Sequence, residues 1–264
     1  MAAQHLYNAG RWPAEARKGL QMASGLEDIV MPMPEEGGPR RALVVAAHPD
    51  DSEFGAGGTV ALWSQNGWEF YYLICTDGSK GSEDPEMTPE KLVPMRREEQ
   101  RAAARTLGVK DVFFLDHVDG ELTYTPDLMR DVVRYIRRIQ PHAVFTHDPN
   151  QIVRNLFINH PDHRCAGEVA IDAVYPIARN RPSFPELLDE GLEPYSVKEI
   201  YLWTASDTTF DVDITDTIET KFDALRQHKS QIENFEELQE RVRNFWRDAD
   251  GRYKERFRRI QLPF

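Results

Sequence analysis

From residue 41 onward, short apolar runs alternate with longer stretches of helical period, the pattern of a parallel sheet wrapped by helices. Strands are predicted at 42–47, 69–76, 112–115, 143–146 and 199–204, and helices at 57–66, 89–107, 126–139 and 161–175. The run 42–47 has no polar residue and no helical period, so it reads as a strand buried on both faces. Three helices open on a proline, Pro89, Pro126 and Pro161, whose missing N–H costs nothing in a first turn. Gly67 and Gly108 fall just past helix ends, where a left-handed residue is wanted. Residues 210–214 alternate like an edge strand, and two or three charged helices are expected from Thr217 to Arg259. Residues 1–40 lack periodicity and close on the Pro- and Gly-rich run 32–39. They are expected to be an extension that either packs on a neighbouring subunit of a homo-oligomer or is mobile, and the sequence leaves both open.

Composition narrows the classes. A chain of 264 residues, 41% apolar and 29% charged, suits one soluble α/β unit with a sizeable core. No stretch approaches the roughly 20 apolar residues of a membrane span, and residues 1–21 lack an apolar signal core, so the expected location is the cytoplasm. Cys75 and Cys165 lie in apolar surroundings without a Cys-x-x-Cys spacing and are expected as buried free thiols. The formal charge of −12 argues against nucleic acid or an anionic membrane as partner and favours a neutral or cationic small molecule.

Chemistry enters where the first strand stops, at His48-Pro49-Asp50-Asp51. Ligands of open α/β sheets bind outside the carboxyl ends of the strands, so these side chains stand where a site is expected. Adjacent carboxylates repel unless something cationic lies beside them, and a divalent metal is the economical candidate. A second cluster answers the first: Asn159-His160-Pro161-Asp162-His163-Arg164.

His-Pro-Asp-Asp closing a first strand, with His-Pro-Asp-His far downstream, resembles the LmbE-like or PIG-L family of zinc-dependent N-deacetylases, from about Arg41 to about Gln231. The resemblance implies Zn2+, or Fe2+ or another divalent ion in its place, held by His48, Asp51 and His163. Three such ligands leave a fourth position for water, as in a catalytic zinc site. It further implies Asp50 as general base, and His160 as the group that stabilises the tetrahedral oxyanion or protonates the departing amine. Arg96, in preference to its neighbour Arg97, is implied to reach sugar hydroxyls at the mouth of the site. Asp77, in the loop after the second strand, is the expected polar contact on a substrate-binding lip. Asp162 either orients a histidine ring or complements the helix dipole, and His228 is expected to pack in the interior. Relatives acting on the mycothiol precursor carry a tyrosine where this chain has Ile158, which cannot donate to an acetyl oxygen. That departure argues against the mycothiol substrate and shifts oxyanion work to His160 and the metal.

Three rival readings fit the residues less well. Gly55-Ala56-Gly57-Gly58 with Asp77 downstream mimics the fingerprint of a nucleotide-binding Rossmann oxidoreductase. However, its glycines come late, Val60 replaces the third, and carboxylates sit where pyrophosphate would lie. A non-haem iron oxygenase uses a similar His/Asp/His triad but has no need of a free carboxylate such as Asp50. A purely structural metal site would be closed by four ligands and rich in cysteine. The expectation is therefore an α/β, Rossmann-like three-layer fold with a mostly parallel sheet, one domain over 41–264 ending in C-terminal helices. Its expected activity is that of a metal-dependent hydrolase removing acetyl from an N-acetylated amino sugar or similar small amide.

Overall fold

The first strand, β1 (Arg41–Ala46), lies in the middle of the sheet because both of its faces are apolar. Ala42, Val44 and Ala46 enter one hydrophobic core, and Leu43, Val45 and Ala47 enter the other. The computed structural model describes residues 39–154 and 157–263, so the extension expected over 1–40 falls, but for its last two residues, outside the described residues. In chain order follow α1 (Asp51–Gln65), β2 (Glu69–Thr76), α2 (Pro89–Leu107), β3 (Asp111–His117), α3 (Pro126–Ile139) and β4 (Ala143–His147). Then come the two-residue strands β5 (Val153–Arg154) and β6 (Phe157–Ile158), and α4 (Pro161–Asp172), which runs into a π-helical turn (Ala173–Ile177). The chain continues through α5 (Glu186–Asp189), β7 (Glu199–Trp203), β8 (Phe210–Asp213), α6 (Ile218–Leu225), α7 (Phe235–Trp246) and β9 (Lys254–Gln261).

Among the described residues the main sheet has seven strands in the order β3-β2-β1-β4-β7-β9-β8. Strands β3, β2, β1, β4 and β7 pair in parallel, while β9 is antiparallel to both β7 and β8. The predicted mostly parallel α/β sheet is therefore present, with β8 at its edge as the alternation of 210–214 implied. Residues of α1, α2, α6 and α7 cover one face, and residues of α3 and α4 cover the other. Pro89, Pro126 and Pro161 each open a helix, and Gly67 and Gly108 take the left-handed conformation after helix ends.

Three boundaries differ from expectation. Helix α1 starts at Asp51, not at residue 57, because its glycines serve tertiary packing. A Cβ at Gly55 would lie 2.5 Å from the Trp203 ring, and one at Gly58 would lie 2.6 Å from Ile214. The glycine run that mimicked a dinucleotide fingerprint is thus clearance between α1 and its neighbours. The charged segment read as a last helix is instead strand β9. Its Glu255 and Phe257 are buried, Glu255 because Lys221 meets it at 2.5 Å. The helix predicted over 161–175 is α-helical only to Asp172.

The strand order reverses between β1 and β4, and there the carboxyl ends open a crevice. His48 follows β1, Asp77 follows β2, Asp119 follows β3 and His147 ends β4, so the four share one rim. Among the described residues no helix is long and apolar enough to cross a membrane. Cys75 and Cys165 are buried and free, as expected.

Candidate metal centre

Three side chains converge at this rim. His48 Nδ1 stands 3.2 Å from His163 Nε2 and 3.3 Å from Asp51 Oδ2, and His163 Nε2 stands 3.1 Å from Asp51 Oδ1. Ligand atoms bound at about 2.0–2.1 Å in a tetrahedron lie about 3.3–3.4 Å from one another, so this triangle fits a small divalent ion. The far nitrogens of both rings are tied to acceptors. His48 Nε2 faces Asp119 Oδ1 at 3.1 Å and Asp162 Oδ2 at 3.2 Å, and His163 Nδ1 faces Asn159 Oδ1 at 3.1 Å. With a metal bound, each ring would keep a proton on the outer nitrogen and turn the inner one to a common space. Without it, a proton on His48 Nδ1 is the cation between these groups. The site residues named from the sequence as ligands are therefore brought together.

The surrounding charges tell the same story. Burial works against a proton on His48, but Asp119, Asp162 and Asp51 overcome it and push its pKa up to about 12. Burial likewise opposes charge on Asp51, yet His163 and His147 hold its carboxyl well below the usual range. The cluster is short of positive charge, which a divalent ion supplies.

Asp50 occupies the position before α1 without making a side-chain capping bond, so helix capping does not account for its carboxylate. Burial raises its pKa to about 6 against the pull of Arg96, whose Nη2 lies 3.3 Å from Asp50 Oδ2. Arg96 is buried on α2 and also donates to the carbonyls of Pro49 at 2.7 Å and Gly78 at 2.9 Å. Arg97 instead pairs with Asp116 and lies over the Phe114 ring. Asp77 Oδ1 accepts from the amides of Ser79 at 2.9 Å and Asp119 at 3.1 Å, joining two loops of the rim.

His160 precedes α4 and packs edge-on to His48, with ring centroids 4.7 Å apart. Its Nδ1 accepts the Asp162 amide at 3.2 Å, so the neutral ring carries its proton on Nε2. Burial and then the charge of His48 lower its pKa. Asp162 accepts from the Gly120 amide at 2.7 Å and the Leu122 amide at 3.3 Å besides facing His48. Of the two roles left open for Asp162, its carboxylate thus fulfils the ring-orienting one. Ile158 is exposed on β6, and His228 is buried, as its interior assignment required.

Sequence reasoning missed Asp119 and His147. Asp119 shares the His48 proton with Asp162. His147 Nε2 lies 3.4 Å from Asp51 Oδ2, and its ring stacks on His163 at 4.3 Å. Burial lowers the pKa of His147 to about 4, so the ring is neutral. Both residues lacked a motif, and their one signal was a place at the carboxyl end of a strand.

Residues 43–174 match the family model described as PIG-L, GlcNAc-PI de-N-acetylase. The chain is similar to diacetylchitobiose deacetylase of Thermococcus kodakarensis, at 36% identity over 73% of this chain and 70% of that protein. It is 28% identical to 1D-myo-inositol 2-acetamido-2-deoxy-alpha-D-glucopyranoside deacetylase of Rhodococcus erythropolis, over 73% of this chain and 81% of that one. Among solved structures it resembles N,N'-diacetylchitobiose deacetylase from Pyrococcus horikoshii, with a TM-score of 0.76 and 35% identity over 84% of each chain.

Proposed function

Because the chain belongs to the PIG-L family, we propose that it removes the acetyl group from an N-acetylated amino sugar, using Zn2+ held by His48 Nδ1, His163 Nε2 and Asp51. The observation that carries this reading is the convergence of two imidazole nitrogens and a carboxylate within 3.1 to 3.3 Å, beside the carboxylate of Asp50. Bound there, the ion supplies Lewis-acid polarisation of water and of the amide carbonyl.

The chain's own groups do the rest. Asp50 takes the proton of the attacking water and returns it to the amine nitrogen as the C–N bond breaks, and its raised pKa makes it a better acceptor near neutral pH than an ordinary carboxylate. His160 donates Nε2–H to the oxygen on which charge builds, a neutral donor rather than an imidazolium given its lowered pKa. Arg96 keeps Asp50 ionised enough to work, and Asp77 fixes the loop that presents Asp119. Substrate contacts of Arg96 and Asp77 belong to the proposal alongside these positioning roles. A cavity of about 460 Å3 opens beside Asp50, with Phe54, Gln231, Asn234 and Leu238 in its wall, a volume within the range of small-molecule sites.

The test is acetate release from a panel of N-acetylglucosaminyl conjugates with metal content measured on the same sample. Turnover proportional to bound zinc is expected, with neutral sugars preferred to anionic conjugates given the net charge of −12. Fully metallated protein that releases no acetate from any acetylated sugar would refute the reading.

A further inference from the structure

The general base stands on a strained backbone. Asp50 has φ 103° and ψ −28°, a left-handed conformation that a residue with a side chain adopts only when its surroundings impose it. The bond that holds it comes from the neighbouring helix α2. Asp50 N–H donates to Gln100 Oε1 at 2.9 Å, Gln100 Nε2 donates to Glu53 Oε1 at 2.9 Å, and Glu53 Oε2 lies 3.1 Å from His228 Nε2. Gln100, Glu53 and His228 are all fully buried.

We propose that Gln100 is a positioning residue for the reaction, holding the Asp50 backbone so that its carboxylate faces the attacking water, with Glu53 and His228 locking the Gln100 amide. The inference rests on the reading of Asp50 as general base. An ionised carboxylate only accepts, so Glu53 must face the NH2 end of the amide, and the oxygen end is left for Asp50. A flipped amide would set oxygen against carboxylate and N–H against N–H, both in a dry interior. His228, from the turn after α6, fixes the second Glu53 oxygen and so keeps the carboxylate from rotating away. Gln100 and Arg96 lie one helical turn apart on the same face of α2. One holds the Asp50 backbone and the other its carboxylate, so α2 clamps the base at two points. The strut also closes on α1 itself, since Asp50 and Glu53 belong to the same first turn and the Glu53 amide bonds the Asp50 carbonyl at 3.1 Å. Asp51 is carried by that turn, but its carboxylate is held by His48 N–H at 2.7 Å, independently of Gln100.

A double-mutant cycle on the zinc-loaded enzyme separates positioning from general structural support. Gln100→Leu should lower kcat by about 10- to 100-fold, the effect of displacing a reacting group by an ångström, while KM and metal content stay at wild-type values. In an Asp50→Asn background the same change should cost less than about twofold, because the group it positions is gone. Glu53→Gln keeps an acceptor oxygen for the Gln100 amide and should stay within about threefold of wild type, whereas Glu53→Leu should resemble Gln100→Leu. If Gln100→Leu does not fold, Gln100→Asn, which keeps the amide but withdraws it by one methylene, enters the same cycle with the same expected coupling. Additive losses in the cycle, or an unchanged kcat in the folded Gln100 variant, overturn the proposal. A wild-type enzyme without acetate release would overturn the deacetylase reading instead, and an Asp50→Asn enzyme of full activity would overturn the base assignment.

Discussion

Trp203 decides which nitrogen of His147 carries the proton. An indole N–H only donates, and it meets His147 Nδ1 at 3.0 Å, so Nδ1 is the acceptor and the proton of the neutral ring sits on Nε2, facing Asp51. The Ala47 amide also approaches Nε2, at 3.3 Å, but the shorter Trp203 bond sets the tautomer. Trp203→Phe removes the donor and keeps an aromatic ring over Gly55, so metal affinity should fall, but by less than the about 10- to 100-fold worth of a direct partner of a ligand. Chelator competition measures this, and an unchanged affinity means that Trp203 does not reach Asp51 through His147. At this scale the sequence was most legible where spacing is local. His48, Asp50 and Asp51 adjoin one another, and His160 and His163 share one helix start. Asp119 and His147 are single residues brought in by β3 and β4, and nothing adjacent in sequence announced them.

The elements that carried a clean period were predictable, and those shaped by a distant charge were not. Glu255 on β9 accepts the α1 amides of Gly58 at 2.9 Å and Thr59 at 2.7 Å, while Lys221 Nζ caps the Phe54 carbonyl at 2.8 Å. Lys221 also lies over the Trp246 ring at 3.7 Å. A buried pair inserted into the hydrogen bonding of α1 lets a glycine-rich segment stay helical and lets a charge-dense segment become a strand. Neither effect leaves a periodic trace, which is why the start of α1 and the nature of β9 escaped the pattern. Glu255→Leu strands a buried ammonium and should cost about 3–5 kcal/mol of unfolding free energy in urea titrations. Adding Lys221→Met should recover part of this, but the amides of Gly58 and Thr59 stay unpartnered and keep the double variant below wild type. A loss under about 1 kcal/mol for Glu255→Leu would show the pair to be dispensable.

For the whole molecule, the proposed metal site would link metal, proton and stability through His48. In the metal-free protein its raised pKa, about 12 against an ordinary 6.5, means that folding takes up a proton there. The sign follows from the direction of that shift. The stabilisation from charged His48 is fully present below about pH 6.5 and is lost as pH rises toward the folded value. A metal at Nδ1 must displace that proton, so its apparent affinity should rise about tenfold per pH unit between pH 7 and 9. Chelation should therefore lower Tm more at pH 9 than at pH 7. At a thousandfold excess over Kd the ion contributes about 4 kcal/mol, and at about 2–4 °C per kcal/mol for a chain of this size that is roughly 8–16 °C. Calorimetric melts with zinc and with chelator across this pH range, combined with direct titration of released protons, test the linkage. Alanine at His48 should abolish both the proton release and the pH slope. A slope near zero in the wild-type protein would mean that His48 is already unprotonated on the metal side, and that the acids around it are balanced by another cation.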